Sequence, residues 1–330
     1  MAHPALVVAR TLVFPHSSVR ASVGSVTVLW PDLSYGAWRD TCDTLHGHTQ
    51  VLGKLAVALA PPEPQLQHAA LRLTARGWET APLPAPDGSG AVVVALDLRN
   101  HVAIVEGSGG TEQRIELLER SVGAVCQELL AAVRRVAGEV QINPAPQEVS
   151  WSVPLDEDDE HATYDPVQVE TYFAAATQAA LALAAFRAPY RGRCTPVNAW
   201  WGSFDLAVSL FSGQPADPPA QDFIMRNAMD AQEVAVGWWP GDERYDRAAF
   251  YSYAHPAPPG FDGANLEPAA ARWEPTLGEY LLDWADVRIA EDPHAAAVQF
   301  AHSAFRYGCT VCRWDPALGA SAEGRPPPVR

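Results

Sequence analysis

Apolar and polar positions follow two different periods along this chain. Between Tyr35 and Leu59, Trp38, Leu45, Leu52 and Ala56 fall on one face, the spacing of a helix. Ser34 suits its N-cap, and Pro61-Pro62 stops it. Shorter β-branched runs follow at 67–75, 90–98, 101–106 and 112–117, and Arg99-Asn100 reads as a tight hairpin between the second and third. A second helix over 119–137 aligns Val122, Val125, Leu129, Ala132 and Val136. Gly138 closes it, and 139–143 reads as a strand.

Residues 143–160 form a connector, Pro-rich at first and then acidic from Asp156 to Glu160. Five successive acids predict a solvated loop. They lack the alternating ligands and glycine turn of a calcium loop. Asp165-Pro166 opens a third helix that runs to about Phe186, with Ala and Leu on several faces and therefore buried. Residues 194–213, CTPVNAWWGSFDLAVSLFSG, read as one or two strands, 221–232 as a short helix, and 233–239, 248–254 and 277–284 as strands. Asp292-Pro293 starts a last helix over 294–308. The expected fold is α+β: antiparallel sheets flanked by helices, in which helix–strands–helix occurs twice and hints at an internal duplication. Residues 29–316 are then one domain of two similar halves, 29–145 and 160–316. A poorly ordered extension, 1–28, precedes it, with a strand-like run over 22–30, and a disordered tail, 317–330, follows.

With 330 residues, 48% hydrophobic and 19% charged, the chain has enough apolar side chains for a sizeable core. A formal charge of −16 argues against nucleic acid or an anionic membrane as partner. No unbroken apolar run of about 18 residues is present, so no spanning helix is expected. The five cysteines, at 42, 126, 194, 309 and 312, are odd in number and predict reduced thiols in a cytoplasmic protein. Residues 1–28 hold Arg10 and Arg20 but no acid, which suits an unstructured extension or a transit-peptide-like composition. The chain has 22 Arg and a single Lys, Lys54. GC-rich coding explains that bias, and a lysine kept against it is a candidate for ammonium chemistry.

Candidate chemistry centres on 194–213, where Asn198, Ser203 and Asp205 sit among Trp200, Trp201 and Phe204. Unpaired polar groups in a core strand cost roughly 1–3 kcal/mol each, so this mixture points to a polar pocket. Adjacent tryptophans on a strand face opposite ways, one to a core and one to a cavity wall. Glu233, Tyr251, Tyr253 and His255 continue the aromatic-plus-polar style, although aromatic strand residues also simply fill cores. On the first helix Arg39, Asp43, His46, Gln50 and Lys54 share a stripe of roughly 80°. That stripe reads either as a solvent face with an Arg39–Asp43 pair or as a binding surface in which His46 moves protons. Arg76, at a strand end, suits bidentate contact with a carboxylate or phosphate, or plain solvation. His161 follows the acidic run and reads as a surface histidine or a proton carrier. Cys309 and Cys312 form a lone CxxC at a helix end, without the second pair of ligands a zinc site needs. No dinucleotide, P-loop, GxSxG, HExxH or EF-hand signature occurs.

The segments WRDTCDTLHGHTQVLGK, LTARGWETAPLP, DEDDEHATYDP, PVNAWWGSFDLAVSLFSG, EVAVGWWPGD and AFYSYAHPAPPGF resemble the bacterial DUF5996 family over about residues 29–305. The resemblance brings no activity. It implies that His46, Gln50, Lys54, Arg76, His161, Trp201, Ser203, Asp205 and Glu233 stand at the family's recurring polar positions. It also implies two departures: Asn198 and Gln232 occupy positions where the family carries histidine, which makes a transition-metal centre doubtful.

The expected function is that of a cytoplasmic enzyme using acid/base chemistry on a small polar or anionic molecule. Its pocket would lie between the first helix and the sheet face carrying Trp201 and Asp205. His46 or His161 would transfer protons, oriented by Asp205 or Glu233. Lys54 and Arg76 would hold an anion, and Gln50, Asn198, Trp201, Ser203, Gln232 and Tyr253 would complete the binding surface. The alternatives are a non-catalytic ligand-binding or sensor protein and a histidine-based metalloenzyme. No motif indicates a cofactor.

Overall fold

The computed structural model describes residues 29–320. The extension 1–28, almost all of the run 22–30, and residues 321–330 lie outside the described residues. Helix α1 spans Tyr35–Leu59, the predicted bounds. Of the expected 67–75 strand only Arg72–Leu73 forms, and the first three residues belong to a different element. Pro64–Ala69 instead form a 3₁₀ segment, with Gln65 and Leu66 in the left-handed region at φ 53° and 51°. Six strands then build the first sheet: β1 (Arg72–Leu73), β2 (Gly77–Glu79), β3 (Leu83–Pro84), β4 (Ala91–Asp97), β5 (Val102–Gly107) and β6 (Glu112–Glu116). They run antiparallel in the order β1-β2-β4-β5-β6, with β3 also on β4. Helix α2 (Val122–Ala137) packs across β4, β5 and β6. Residues 139–143 join no sheet, since their backbone has no strand partner.

The connector brings the first correction of substance. Its acidic run is a loop with Glu157, Asp159 and Glu160 exposed as expected, but one of its acids turns inward. Asp158 is fully buried, and its backbone carbonyl accepts from Gly123 N–H at 2.8 Å, while the His161 carbonyl accepts from Val122 N–H at 2.9 Å. Helix α2 thus has its free first-turn amides capped by the loop that sequence patterning left in water. The Asp158 carboxylate in turn accepts from the Glu160 and His161 amides and meets His161 Nδ1 at 2.7 Å.

The second half opens with α3 (Pro166–Arg187), whose Asp165 cap accepts from the Val167 and Gln168 amides. By length and composition α3 is apolar enough to cross a membrane, although Gln168, Glu170 and Gln178 interrupt its apolar run. Here it packs on α6 and on the second sheet, burying Val169, Tyr172, Ala175, Ala179 and Phe186. That sheet contains β7 (Asn198–Trp200), β8 (Asp205–Pro215), β9 (Ala231–Trp239), β10 (Ala249–His255), β11 (Arg272–Glu274) and β12 (Glu279–Asp283), all antiparallel, in the order β11-β12-β10-β9-β8-β7. A short α4 (Phe223–Ala228) lies in the β8–β9 connection. After β12 the chain turns into α5 (Trp284–Arg288), α6 (Pro293–Val311) and α7 (Pro316–Ala320). Strand β11, of three residues, and helix α5, of five, escaped the sequence pattern because each is too short to repeat its period. Helix α7 holds the first residues of the expected disordered tail.

A bridge between Leu71 and Ala199, with N···O distances of 3.0 and 2.9 Å, joins the edges of the two sheets. Both halves show helix, strands and helix. Their sheets differ at the far edge, where β12 lies between β10 and β11, so element order alone does not establish a duplication. One contiguous core holds residues from Leu33 to Trp314, hence from both halves. Alternation along the second sheet divides its side chains. Leu206, Val208, Leu210, Val234, Val236, Trp238 and Phe250 face α3 and α6 in that core, whereas Ala207, Trp239, Tyr251 and Leu281 form a separate cluster on the other face. The long helices α3 and α6 cover one face only, and the second cluster marks the other.

Between the halves, Trp201 lies flat against α1 where Gly53 leaves room: a Cβ there would sit 2.0 Å from the indole ring. Gly53→Ala is expected to lower stability by about 1–3 kcal/mol through overpacking. Urea denaturation measures this, and an unchanged midpoint would contradict the close approach.

Candidate functional site

The face of the second sheet away from α3 and α6 holds a half-open pocket of about 460 Å³. Its floor exists because small residues stand where bulky ones would fill it. Register pairs Ala207 of β8 with Gly237 of β9 and Gly237 with Tyr251 of β10. Tyr251 lies over Gly237, where a Cβ would fall 2.3 Å from the ring, and so reaches across β9 to Asp205 on β8. One register step along, Tyr253 meets Glu233 at 3.4 Å. The end of β7 and the turn after it supply Trp200, Trp201, Gly202 and Ser203; the 3₁₀ segment and α4 with its C-cap supply Leu66, Ile224, Met225 and Met229. Glu148, an exposed residue of the connector, Arg244 from the loop before β10 and Glu279, the first residue of β12, complete the lining.

The lining contains four carboxylic acids, Glu148, Asp205, Glu233 and Glu279, and one cation, Arg244. Asp205 and Glu233 are each only 4% exposed. Burial penalises their charged forms and pushes Asp205 up to about 6 and Glu233 up to about 7, against the lowering effect of hydroxyl donors. For Asp205 those donors are Ser203 on Oδ1 and Tyr251 on Oδ2. Glu148 and Glu279 are also pushed up to about 7, first by desolvation and then by the charge of Asp205. Arg244 is already committed, with Nε and a terminal nitrogen 3.0 and 2.6 Å from Asp242 Oδ2. The site therefore carries acids that exchange protons near neutral pH, in a cleft with little positive charge to neutralise them.

Left-handed backbone gathers around this cleft. Gln65, Leu66, Glu148 and Phe204 all have φ between 51° and 58°, and each lines the pocket or adjoins a lining residue. Such non-glycine residues cost roughly 1–3 kcal/mol each and persist only where the surroundings impose them.

The sequence-predicted residues separate into two groups. Trp201, Ser203, Asp205, Glu233 and Tyr253 come together in the pocket. The stripe on α1 does not reach it, because no α1 residue lines the cavity. The pocket lies on the far side of the Trp201 turn from α1, not between that helix and the sheet. His46 is buried, stacks on Phe204 at 5.0 Å and places Nε2 at 2.9 and 3.0 Å from the Trp201 and Gly202 carbonyls. Two carbonyls around one nitrogen require its proton there. Burial lowers the His46 pKa to about 4, leaving the ring neutral at physiological pH. Gln50 donates to the Gln147 carbonyl and accepts from its amide, both at 2.9 Å, and so fixes the residue next to Glu148. Lys54 is buried with Nζ 5.4 Å from the Trp201 ring centroid, and desolvation lowers its pKa to about 8.

The others serve elsewhere. Arg76 pairs with Glu79 at 3.0 Å, and His161 belongs to the Asp158 cap with Trp151 against its ring. Asn198 accepts from Arg72 at 2.5 Å and donates to Gln67 at 2.9 Å, bracing the seam between the sheets. Gln232 accepts from Ser212 and borders a different cleft beside Cys312 and Trp314. Among the described residues no group of three or more His, Cys, Asp or Glu side chains is arranged to hold a metal ion. Cys309 and Cys312 are both free thiols.

Sequence reasoning missed Glu148, Glu279 and Arg244 as site residues and left Trp200, Trp239 and Tyr251 unassigned. For Glu279 a signal existed: in a strand of sequence EYLLD, alternation puts it on the same face as Leu281, which pairs with Tyr251. Glu148 and Arg244 sit in loops and gave none.

The raised pKa of Glu233 has a definite sign in stability. The native state keeps this proton to higher pH than the unfolded chain, so the associated stability is full below about pH 4.5 and is lost as pH rises through about 7. Glu233→Gln is therefore expected to melt higher than the parent at pH 8, by an amount on the order of 2–3 kcal/mol, with the advantage gone by about pH 5. Scanning fluorimetry at the two pH values checks this; parallel pH dependences would contradict it.

Comparison with curated proteins and with solved structures finds no match. A family model does match, over residues 30–320, and it carries the description of a family of unknown function. That span covers both sheets, the Trp201 turn and every lining residue of the pocket, and the chain belongs to the DUF5996 family.

Proposed function

We propose that this protein is an enzyme that binds a small polar molecule on the face of its second sheet away from α3 and α6 and acts on it by proton transfer through carboxyl groups. The observation that carries the reading is the convergence of Asp205, Glu233, Glu148 and Glu279 on one aromatic-walled cleft of ligand size. Glu233 takes the role of acid or base, because it is buried, titrates near neutral pH and faces the cavity. Tyr253 holds its carboxylate in place. Asp205 orients the cluster and raises the proton affinity of Glu148 and Glu279. An anionic substrate is set aside for this site, since Lys54 and Arg76 stay outside it. Five unpaired thiols suit a cytoplasmic setting.

A binding-only reading has one observation in its favour: both oxygens of Asp205 already accept hydroxyl protons, from Ser203 and Tyr251, as in a group that shapes a pocket rather than reacts.

The test incubates the full chain with a metabolite extract and follows consumed and formed species by mass spectrometry, alongside Glu233→Gln and Asp205→Asn. Turnover is expected in the parent and a loss of at least about a hundredfold in Glu233→Gln, the usual size of a general acid–base contribution. Equal turnover in parent and both variants would overturn the assignment. A molecule that co-purifies and is never converted would transfer the site to the binding-only reading.

A further inference from the structure

We infer that the ligand of this pocket is an amphipathic cation, with an ammonium or guanidinium group on a compact apolar body. The inference rests on the reading of the cleft as the ligand site and adds the chemical class of the ligand.

Donor and acceptor accounting carries it. The side-chain donors facing the cleft are mostly engaged within the protein. Tyr251 and Ser203 donate to Asp205, Tyr253 to Glu233, Trp201 Nε1 to the Ala69 carbonyl at 3.1 Å, and Arg244 to Asp242. The acceptors are not engaged to the same degree. Neither the Glu148 nor the Glu279 carboxylate accepts a hydrogen bond among the described residues, although both line the cavity. A ligand must therefore bring donors and needs few acceptors, the reverse of what a carboxylate or phosphate offers. A neutral polyol, with equal numbers of both, leaves its own acceptors unmatched. An ammonium or guanidinium brings donors alone, together with the charge that four acids and one already-paired arginine lack.

The second half of the inference comes from the apolar part of the lining. Leu66, Ile224, Met225 and Met229 give the same cavity an apolar stretch of lining. Trp239 and Tyr251, also in the lining, meet edge to face at 5.5 Å, and aromatic faces also attract cations. A uniformly polar cation leaves that stretch unused, whereas an amine on an apolar body uses both parts of the lining.

The test uses three probes of one shape and different charge: 2-phenylethylamine, 2-phenylethanol and phenylacetate, titrated calorimetrically into the full chain at pH 8. The amine is expected to bind at least about tenfold more tightly than the alcohol, with no heat from phenylacetate. Its affinity falls severalfold or more at pH 5, where protonation removes charge from Glu148, Glu233, Glu279 and Asp205 while Arg244 keeps its own. Glu279→Gln is expected to weaken the amine severalfold without affecting the alcohol. Equal or tighter binding of the alcohol or of phenylacetate would overturn the cation assignment, and so would binding of none of the three. Either result leaves the acid/base reading standing if Glu233→Gln still abolishes turnover of the extract. Turnover untouched in that variant removes the acid/base reading whatever the probes do.

Discussion

A single neutral imidazole holds the turn on which this site depends. His46 donates from Nε2 to the carbonyls of Trp201 and Gly202, and its ring stacks on Phe204 two residues further on. The turn would otherwise bury two unpaired carbonyls against helix α1, a cost of roughly 1–3 kcal/mol for each. Phe204, held at φ 56°, is itself stacked between aromatic neighbours, with Trp78 at 5.2 Å and Tyr172 at 5.1 Å. Because the turn is pinned from the core side, Ser203 and Asp205 emerge on the other side in fixed positions. The same helix fixes the connector through Gln50 and the backbone of Gln147, so α1 positions two walls of a cavity that it never touches.

The second constraint is the alternation of the sheet. Strands β8, β9 and β10 each send a bulky apolar set toward α3 and α6, and that burial holds the sheet in register. A slip of one residue would exchange Val208, Val236 and Phe250 with Ala207, Gly237 and Tyr251, so the core also fixes which residues face the pocket. Small residues at 207 and 237 then keep the outer face concave, and tyrosines from β10 lie across it. Burial of Asp205 and Glu233 is the cost of this arrangement. It shifts both acids toward neutral pH, and the large apolar core on the other face offsets it.

Much of the fold was legible in the chain. Helices α1, α2, α3 and α6 announced themselves through periodicity, proline and capping residues, and most strands through β-branched runs. The misreadings came where local pattern and tertiary contact disagree. The run 67–75 reads as a strand, yet its first three residues close a 3₁₀ segment whose Gln65 and Leu66 adopt left-handed backbone beside the cavity. The acidic run 156–160 looks like a solvated loop, yet Asp158 is buried because its backbone caps α2 and its carboxylate satisfies two amides. The polar stripe on α1 looked like a ligand surface because it mixes charge types. Burial of His46, Gln50 and Lys54 behind the Trp201 turn turned it into scaffolding.

By itself the sequence determined an α+β chain of antiparallel sheets and helices, and it marked the Trp200–Asp205 turn as the place where polar groups enter an aromatic environment. Those features are local: they follow from periodicity, capping and the cost of unpaired polar groups within a few residues. Only the tertiary structure decided that Glu148, Glu279 and Arg244 belong with Asp205 and Glu233, and that His46 and Lys54 do not. Which side of a buried turn a group faces depends on strand register and on what packs behind it, and both are set by distant residues: Tyr251 lies 46 positions from Asp205, and His46 lies 155 from Trp201.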